Sequence, residues 1–308
     1  MFSSKIKKYL DRLSVSSKKP HSYLFIGPDG VGKEDAVYYF VQRITGKDSD
    51  ENFLPKIKSR NHPDVIVVEP EREEKEGRIR EKEITIFQIR EARERLKFFP
   101  YELKSKFCII KRAHRMNHEA SNSLLKILEE PRPNTYLILL SYGVEAVFPT
   151  IASRCAVLRF PLLSSKELKS WAEGYKIEKA KLEEIKLWSG GRIKVAEELI
   201  GDKDFLRKKK ERRIELRKIF TSEIYERFDW VEKKSKNKSE LVETLQDWEN
   251  LVAQSLRRTL RKESDNRLKI GKIVFLLNGV REVIDKIEGS NANPRTVMES
   301  LVLDMEWR

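Results

Sequence analysis

Cysteine is scarce in this chain of 308 residues: Cys108 and Cys155 are the only two, far apart and outside any metal-ligand spacing. Their positions exclude a disulfide framework and a cysteine-based zinc site, and they point to a reducing compartment. Long apolar runs are missing as well. The opening Ser3-Ser4-Lys5-Ile6-Lys7-Lys8 lacks the apolar centre of a signal peptide, and no later run reaches membrane-spanning length. A soluble, cytoplasmic protein with no membrane partner is expected. Acidic residues are in deficit, 49 against 63 basic, for a net charge of +14. Such a charge suits polyanionic partners through counterion release. With 36% charged residues of both signs, it also suits a heavily solvated helical surface, and charge alone does not choose between the two. No internal repeat and no low-complexity tail interrupts the chain.

What is present begins with a phosphate-binding loop. Gly27-Pro28-Asp29-Gly30-Val31-Gly32-Lys33 follows the apolar run Tyr23-Leu24-Phe25-Ile26 and precedes the helix-like Asp35-Ala36-Val37-Tyr38-Tyr39-Phe40. This is the strand, glycine loop and helix of a nucleotide fold. Glycines let backbone N–H groups curl around phosphates, the helix N-terminus adds partial positive charge, and the lysine reaches the terminal phosphates. One position breaks the pattern. Where a hydroxyl should ligate magnesium stands Glu34, whose charge repels phosphate. The acid-bearing strand is broken in the same sense: Lys106-Phe107-Cys108-Ile109-Ile110 reads as that strand, yet Lys111 and Arg112 follow it in place of carboxylates. Neither magnesium ligand is there, so self-catalysed hydrolysis is not expected and no cofactor is assigned to the chain.

The first 160 or so residues alternate strand and helix signals. Strands are expected at 22–26, 64–69, 106–110, 135–140 and 156–160, apolar along most of their length as in a parallel sheet buried on both faces. Helices are expected at 33–44, 85–98 and 117–130, the last capped by Asn117 and stopped at Pro131. The charged run from Glu71 to Lys82 reads as a solvated loop, and the span from Gly46 to His62 leaves room only for a loop. Beyond Phe160 the strand signal fades. A small helical unit, broken at Gly190-Gly191, leads into wholly helical text from about 205. A basic cluster opens that region with Arg207, Lys208, Lys209, Lys210, Arg212 and Arg213. Amphipathic stretches follow at 240–261 and 266–288, where Leu241, Leu245, Trp248, Leu251, Val252 and Leu256 share a stripe. These apolar residues are read as core.

Two further segments are specific. Asn122-Ser123-Leu124-Leu125-Lys126-Ile127-Leu128-Glu129-Glu130-Pro131 precedes a buried strand and then Thr150-Ile151-Ala152-Ser153-Arg154-Cys155. Together they resemble the clamp-loader branch of the AAA+ ATPases. Asn291-Ala292-Asn293-Pro294-Arg295, followed by Met298, Leu301 and Val302, resembles the closing helix of the bacterial loader subunits. Lost nucleotide residues beside an intact Ser153-Arg154-Cys155 resemble the non-hydrolysing, stator-like subunit type of the bacterial DNA polymerase III clamp loader.

The resemblance implies an α/β fold followed by all-α: a RecA-like AAA+ parallel-sheet domain at 1–163, a small helical lid at 164–204 and a helical collar at 205–308. It implies that Arg154 works in trans as an arginine finger on ATP and magnesium bound by a neighbouring subunit. A planar, permanently charged fork suits that role. It implies gamma or tau motor subunits and the delta subunit as partners, with the sliding clamp and primed DNA engaged indirectly. The nucleotide-touching lid arginine of active relatives falls on Lys194 in one register and on Arg192 in a shifted one. The family's four-cysteine zinc module has no counterpart here. The competing readings are an active gamma/tau-type motor, against which Glu34, Lys111 and Arg112 speak, and a free-standing nucleic-acid-binding module, which only net charge supports.

Overall fold

A computed structural model describes residues 2–48, 50–75, 78–175, 177–261, 267–289 and 292–304. Contacts divide the chain into two units, Met1–Gly174 with Gly191–Lys194, and Tyr175–Gly190 with Val195–Arg308.

The first unit holds α1 (Ser4–Val15), β1 (Ser22–Ile26), α2 (Lys33–Thr45), α3 (Phe53–Lys58), β2 (Val65–Val68), β3 (Arg72–Lys75) and β4 (Arg78–Glu81). Then come α4 (Ile86–Leu96), β5 (Lys106–Ile110), α5 (His118–Glu129), β6 (Thr135–Ser141), α6 (Pro149–Ala152), β7 (Ala156–Arg159) and α7 (Ser165–Glu173). Five strands form a parallel sheet in the order β2-β5-β6-β1-β7, with Tyr23 opposite both Ile138 and Ala156. Successive strand residues face opposite sides, and both sides are apolar. Leu24, Ile66, Cys108, Ile110, Leu137 and Leu139 pack with α4 and α5 residues. Phe25, Phe107, Ile109, Ile138 and Leu140 pack with α1, α2 and α3 residues. The five expected strands lie where the apolar runs placed them. Asn117 caps α5 by accepting from the Ala120 N–H at 2.9 Å.

Two expected loops are ordered elements instead. Between Glu71 and Lys82 the backbone forms the antiparallel pair β3–β4, with Arg72 opposite Glu81. At the open end of the pair unlike charges oppose each other, Arg72 opposite Glu81 and Glu73 opposite Arg80, and Arg72 meets Glu81 at 3.6 Å. Glu76 and Gly77 lie outside the described residues. Between Gly46 and His62, α3 buries Phe53 and Ile57, one turn apart, against the α2 side of the sheet. The polar text around those two residues concealed it.

The second unit holds α8 (Lys179–Ser189), most of α9 (Ile193–Gly201), α10 (Lys203–Thr221), α11 (Ile224–Lys234), α12 (Lys238–Arg261), α13 (Arg267–Gly289) and α14 (Pro294–Asp304). Its core gathers Leu241, Leu245, Trp248 and Val252 of α12 with Val280, Val283 and Ile287 of α13 and Met298 and Val302 of α14, while Leu251 and Leu256 pack at its margin. The expected basic cluster is split. Lys209 and Arg212 turn inward and share Asp247, Arg212 at 2.7 Å, and the Trp248 indole N–H donates to the Arg212 carbonyl at 3.0 Å. Arg207, at the surface, meets Asp204 at 3.3 Å. Asn266, at the start of the second amphipathic stretch, and Asn291 lie outside the described residues.

Candidate functional site

The phosphate loop leaves the carboxyl end of β1, beside the carboxyl ends of β6 and β7. Strand order changes direction here, because the chain passes from β1 to the far edge strand β2 and returns through β5 and β6. Crevices of α/β folds form at such points. Gly27 is pinned there. Its N–H donates to the Ser141 carbonyl at 3.2 Å, its φ is 151°, and a Cβ would stand 2.2 Å from the Phe160 carbonyl oxygen. No side chain fits that approach. Gly30 and Gly32 also have positive φ, and Gly32 caps α2 without any side-chain hydrogen bond.

Lys33 is buried, yet it reaches into its own loop. The ammonium donates to the Gly27 carbonyl, to the Pro28 carbonyl at 3.0 Å and to Asp29 Oδ1 at 3.3 Å. Burial lowers its pKa, with Asp29 opposing that shift. The donors that would meet terminal phosphates are spent on loop oxygens.

Glu34 and Lys111 meet each other. Lys111 Nζ lies 2.9 Å from Glu34 Oε2 and 3.4 Å from Glu69 Oε2. Where a nucleotide site needs a hydroxyl and a carboxylate to share a metal ion, this chain has a carboxylate and an ammonium that neutralise one another. Among the described residues no three His, Cys, Asp or Glu side chains gather as a metal site. Glu34 and Asp35 also occupy the first turn of α2, so the chain itself supplies negative charge at the helix N-terminus. Arg112 turns away to Glu81 of β4.

The cleft around these groups has a volume of about 490 Å³, and Lys33, Glu34, Asp35, Lys111, His114 and Lys194 are among the residues that line it. Both lid alternatives come close to the loop. The Lys194 N–H donates to the Gly30 carbonyl at 2.9 Å and its ammonium meets Asp35 at 2.6 Å, whereas the aliphatic part of Arg192 lies over Gly30. No sequence motif marks His114. Burial first, then Arg115, lowers its pKa to about 4. Neither it nor Glu69, the second partner of Lys111, has a motif of its own. The available signal was position, since each follows the carboxyl end of an apolar strand.

Ser153, Arg154 and Cys155 stand at the other edge of the sheet. They precede β7, and the Ser22 hydroxyl at the start of β1 donates to the Arg154 carbonyl at 2.6 Å. Five residues of β1 at about 3.3 Å each separate this edge from the phosphate loop by roughly 16 Å. The Arg154 fork donates to Thr150 O at 3.0 Å and meets Glu129 Oε1 at 2.7 Å. The Ser153 hydroxyl donates to Thr150 O at 3.2 Å. Cys155 packs against the core, and burial pushes its thiol up to about 11, against the thiolate form.

Residues 2–164, more than half of the chain, match the family described as "DNA polymerase III, delta subunit". DNA polymerase III subunit delta' of Pseudomonas aeruginosa is 30% identical over 201 residues, 62% of this chain and 58% of that protein. The subunit of the same name from Bacillus subtilis is 34% identical over 164 residues, 51% of this chain and 45% of that one. The chain thus spans about half the length of these relatives. A DNA polymerase III gamma subunit-related protein of Thermotoga maritima superposes over 98% of both chains with a TM-score of 0.53 at 17% identity, a likeness of fold.

Proposed function

Since the chain belongs to the DNA polymerase III delta-subunit family, we propose that it is a delta-prime-type clamp-loader subunit that does not hydrolyse ATP. In this reading it supports ATP-dependent loading of a sliding clamp onto primed DNA and lends Arg154 to a neighbouring motor subunit. The observation that carries the first part is the Glu34–Lys111 pair at 2.9 Å, which fills both magnesium-ligand positions with charges that satisfy each other. The roughly 16 Å between Arg154 and the chain's own phosphate loop supports action in trans. The partners are gamma/tau motor subunits and the delta subunit, in the cytoplasm. The organisation is a RecA-like domain at 1–163, a lid at 164–204 and a collar at 205–308 that holds the assembly.

The test uses the assembled complex. Arg154→Ala should leave incorporation unchanged and lower the DNA- and clamp-stimulated ATPase, with other subunit interfaces keeping the remainder. Arg154→Lys should be impaired as well, because a point charge does not reproduce the fork. Identical rates at equal incorporation would reduce Arg154 to a surface residue. ATP turnover by the isolated chain that Lys33→Ala abolishes would overturn the non-hydrolysing reading.

A further inference from the structure

Helix α5 ends against its own dipole. A helix C-terminus carries partial negative charge and favours cations, yet the last residue and the cap of α5 are Glu129 and Glu130, with Lys126 the base of the final turn. A local rule broken in this way marks a position kept for a reason other than helix stability. The compensating charge comes from another element. Arg154, in the turn between α6 and β7, meets Glu129 at 2.7 Å through NH2 and donates to Thr150 O at 3.0 Å through NH1. The Ser22 hydroxyl fixes the backbone of the same turn. The guanidinium is therefore aimed by two elements. Both charged side chains remain open to solvent, 39% for Arg154 and 49% for Glu129, so the pair is worth no more than a few-fold in any equilibrium.

We propose that Glu129 is a positioning residue for Arg154, a holding ligand that keeps the fork oriented at the sheet edge and gives it up to a phosphate oxyanion presented by a neighbour. This rests on the reading that Arg154 acts on a neighbour's nucleotide. A terminal phosphate offers the same bidentate acceptor geometry as a carboxylate and carries more charge. It outcompetes Glu129, whereas a nucleotide lacking that phosphate does not. Once the phosphate is gone, Glu129 and Glu130 at the negative end of α5 draw the fork back. The carboxylate thus opposes nucleotide-dependent docking by a small amount and makes it reversible.

The experiment measures the affinity of the full chain for its motor subunit with magnesium ATP and with magnesium ADP, and takes the ratio. Glu129→Gln keeps the side chain's size and removes its charge. The ATP-to-ADP ratio should rise two- to five-fold, because the competing ligand is gone. Arg154→Ala should bring the ratio to one, and the double variant should match Arg154→Ala. A Glu129→Gln ratio equal to or below wild type, with Arg154→Ala still reducing it to one, overturns the role of Glu129 and leaves the reading of Arg154 standing. An Arg154→Ala ratio equal to wild type overturns that reading and this inference with it. A double variant that differs from Arg154→Ala shows Glu129 acting through another partner and also overturns the inference.

Discussion

His114 shows how a single residue couples the cleft to solution conditions. Burial, helped by Arg115, lowers its pKa from 6.5 to about 4, and burial lowers that of His62 beside Phe53. An unfolded histidine takes up its proton near pH 6.5, so between about 6.5 and 4 the unfolded chain holds more protons than the folded one. The stability contributed by neutral His114 is complete above that window and is lost as pH falls through it. Urea unfolding at pH 7 and pH 5 should show a smaller acid loss for His114→Gln than for wild type. An equal loss in both would assign the acid sensitivity to other groups. At this scale the sequence was a good guide where the chemistry is local. The glycines, Lys33, Glu34 and Lys111 could all be judged against a pattern of neighbours. It gives no hint that Lys33 folds back onto Pro28, which the path of the loop decides, or that Glu34 and Lys111 meet, which depends on where α2 begins relative to the end of β5.

Loops at the level of elements were harder to foresee, and Asp64 shows why. The apolar run beginning at Asp64 marks it as the start of a strand, but β2 starts at Val65 and the Asp64 carboxylate is buried and accepts three backbone N–H bonds: from Tyr101 at 2.8 Å, Glu102 at 2.7 Å and Leu103 at 2.8 Å. One side chain thereby fixes the loop between α4 and β5, from which Phe98, Phe99 and Tyr101 project into solvent. Charge-assisted bonds to a buried carboxylate are strong, and the buried Leu103 N–H is left without its acceptor when the carboxylate goes. Asp64→Ala should cost about 3 kcal/mol in urea unfolding and remove the hydrogen-exchange protection of the Glu102 and Leu103 amides. Protection as in wild type would mean that the loop holds itself. Long buried strands were legible because burial on both faces leaves a continuous apolar run. Helix α3 and the β3–β4 pair were not, because one is six residues long with two inward side chains and the other consists almost wholly of charged residues that look like solvated text.

At the scale of the whole molecule, the proposed boundary at 204 meets a physical constraint. Helix α8 belongs to the second unit: Gln254 of α12 donates to the Leu187 carbonyl, and the Arg213 guanidinium lies 6.0 Å from the Trp188 ring centre. A chain truncated after residue 204 should retain the sheet unit but expose Trp188, with a red-shifted tryptophan emission that Trp188→Phe removes. Emission unchanged from the full chain would show that α8 is covered without α10 and α12.

The two edges of the parallel sheet carry a last consequence. The cleft opens at the carboxyl ends of the strands and Arg154 stands at their amino ends, so two copies of such a fold that exchange an arginine for a nucleotide must stack head to tail, a heterologous contact without two-fold symmetry. Each member of that stack offers one face and receives another. In the proposed reading this chain keeps the offering face, while Lys33, Glu34 and Lys111 have filled the receiving one. A member that gives and does not receive cannot sit in the interior of a row of working sites. On that reading it terminates the row on one side, and the series of motors takes its direction from the member that only gives.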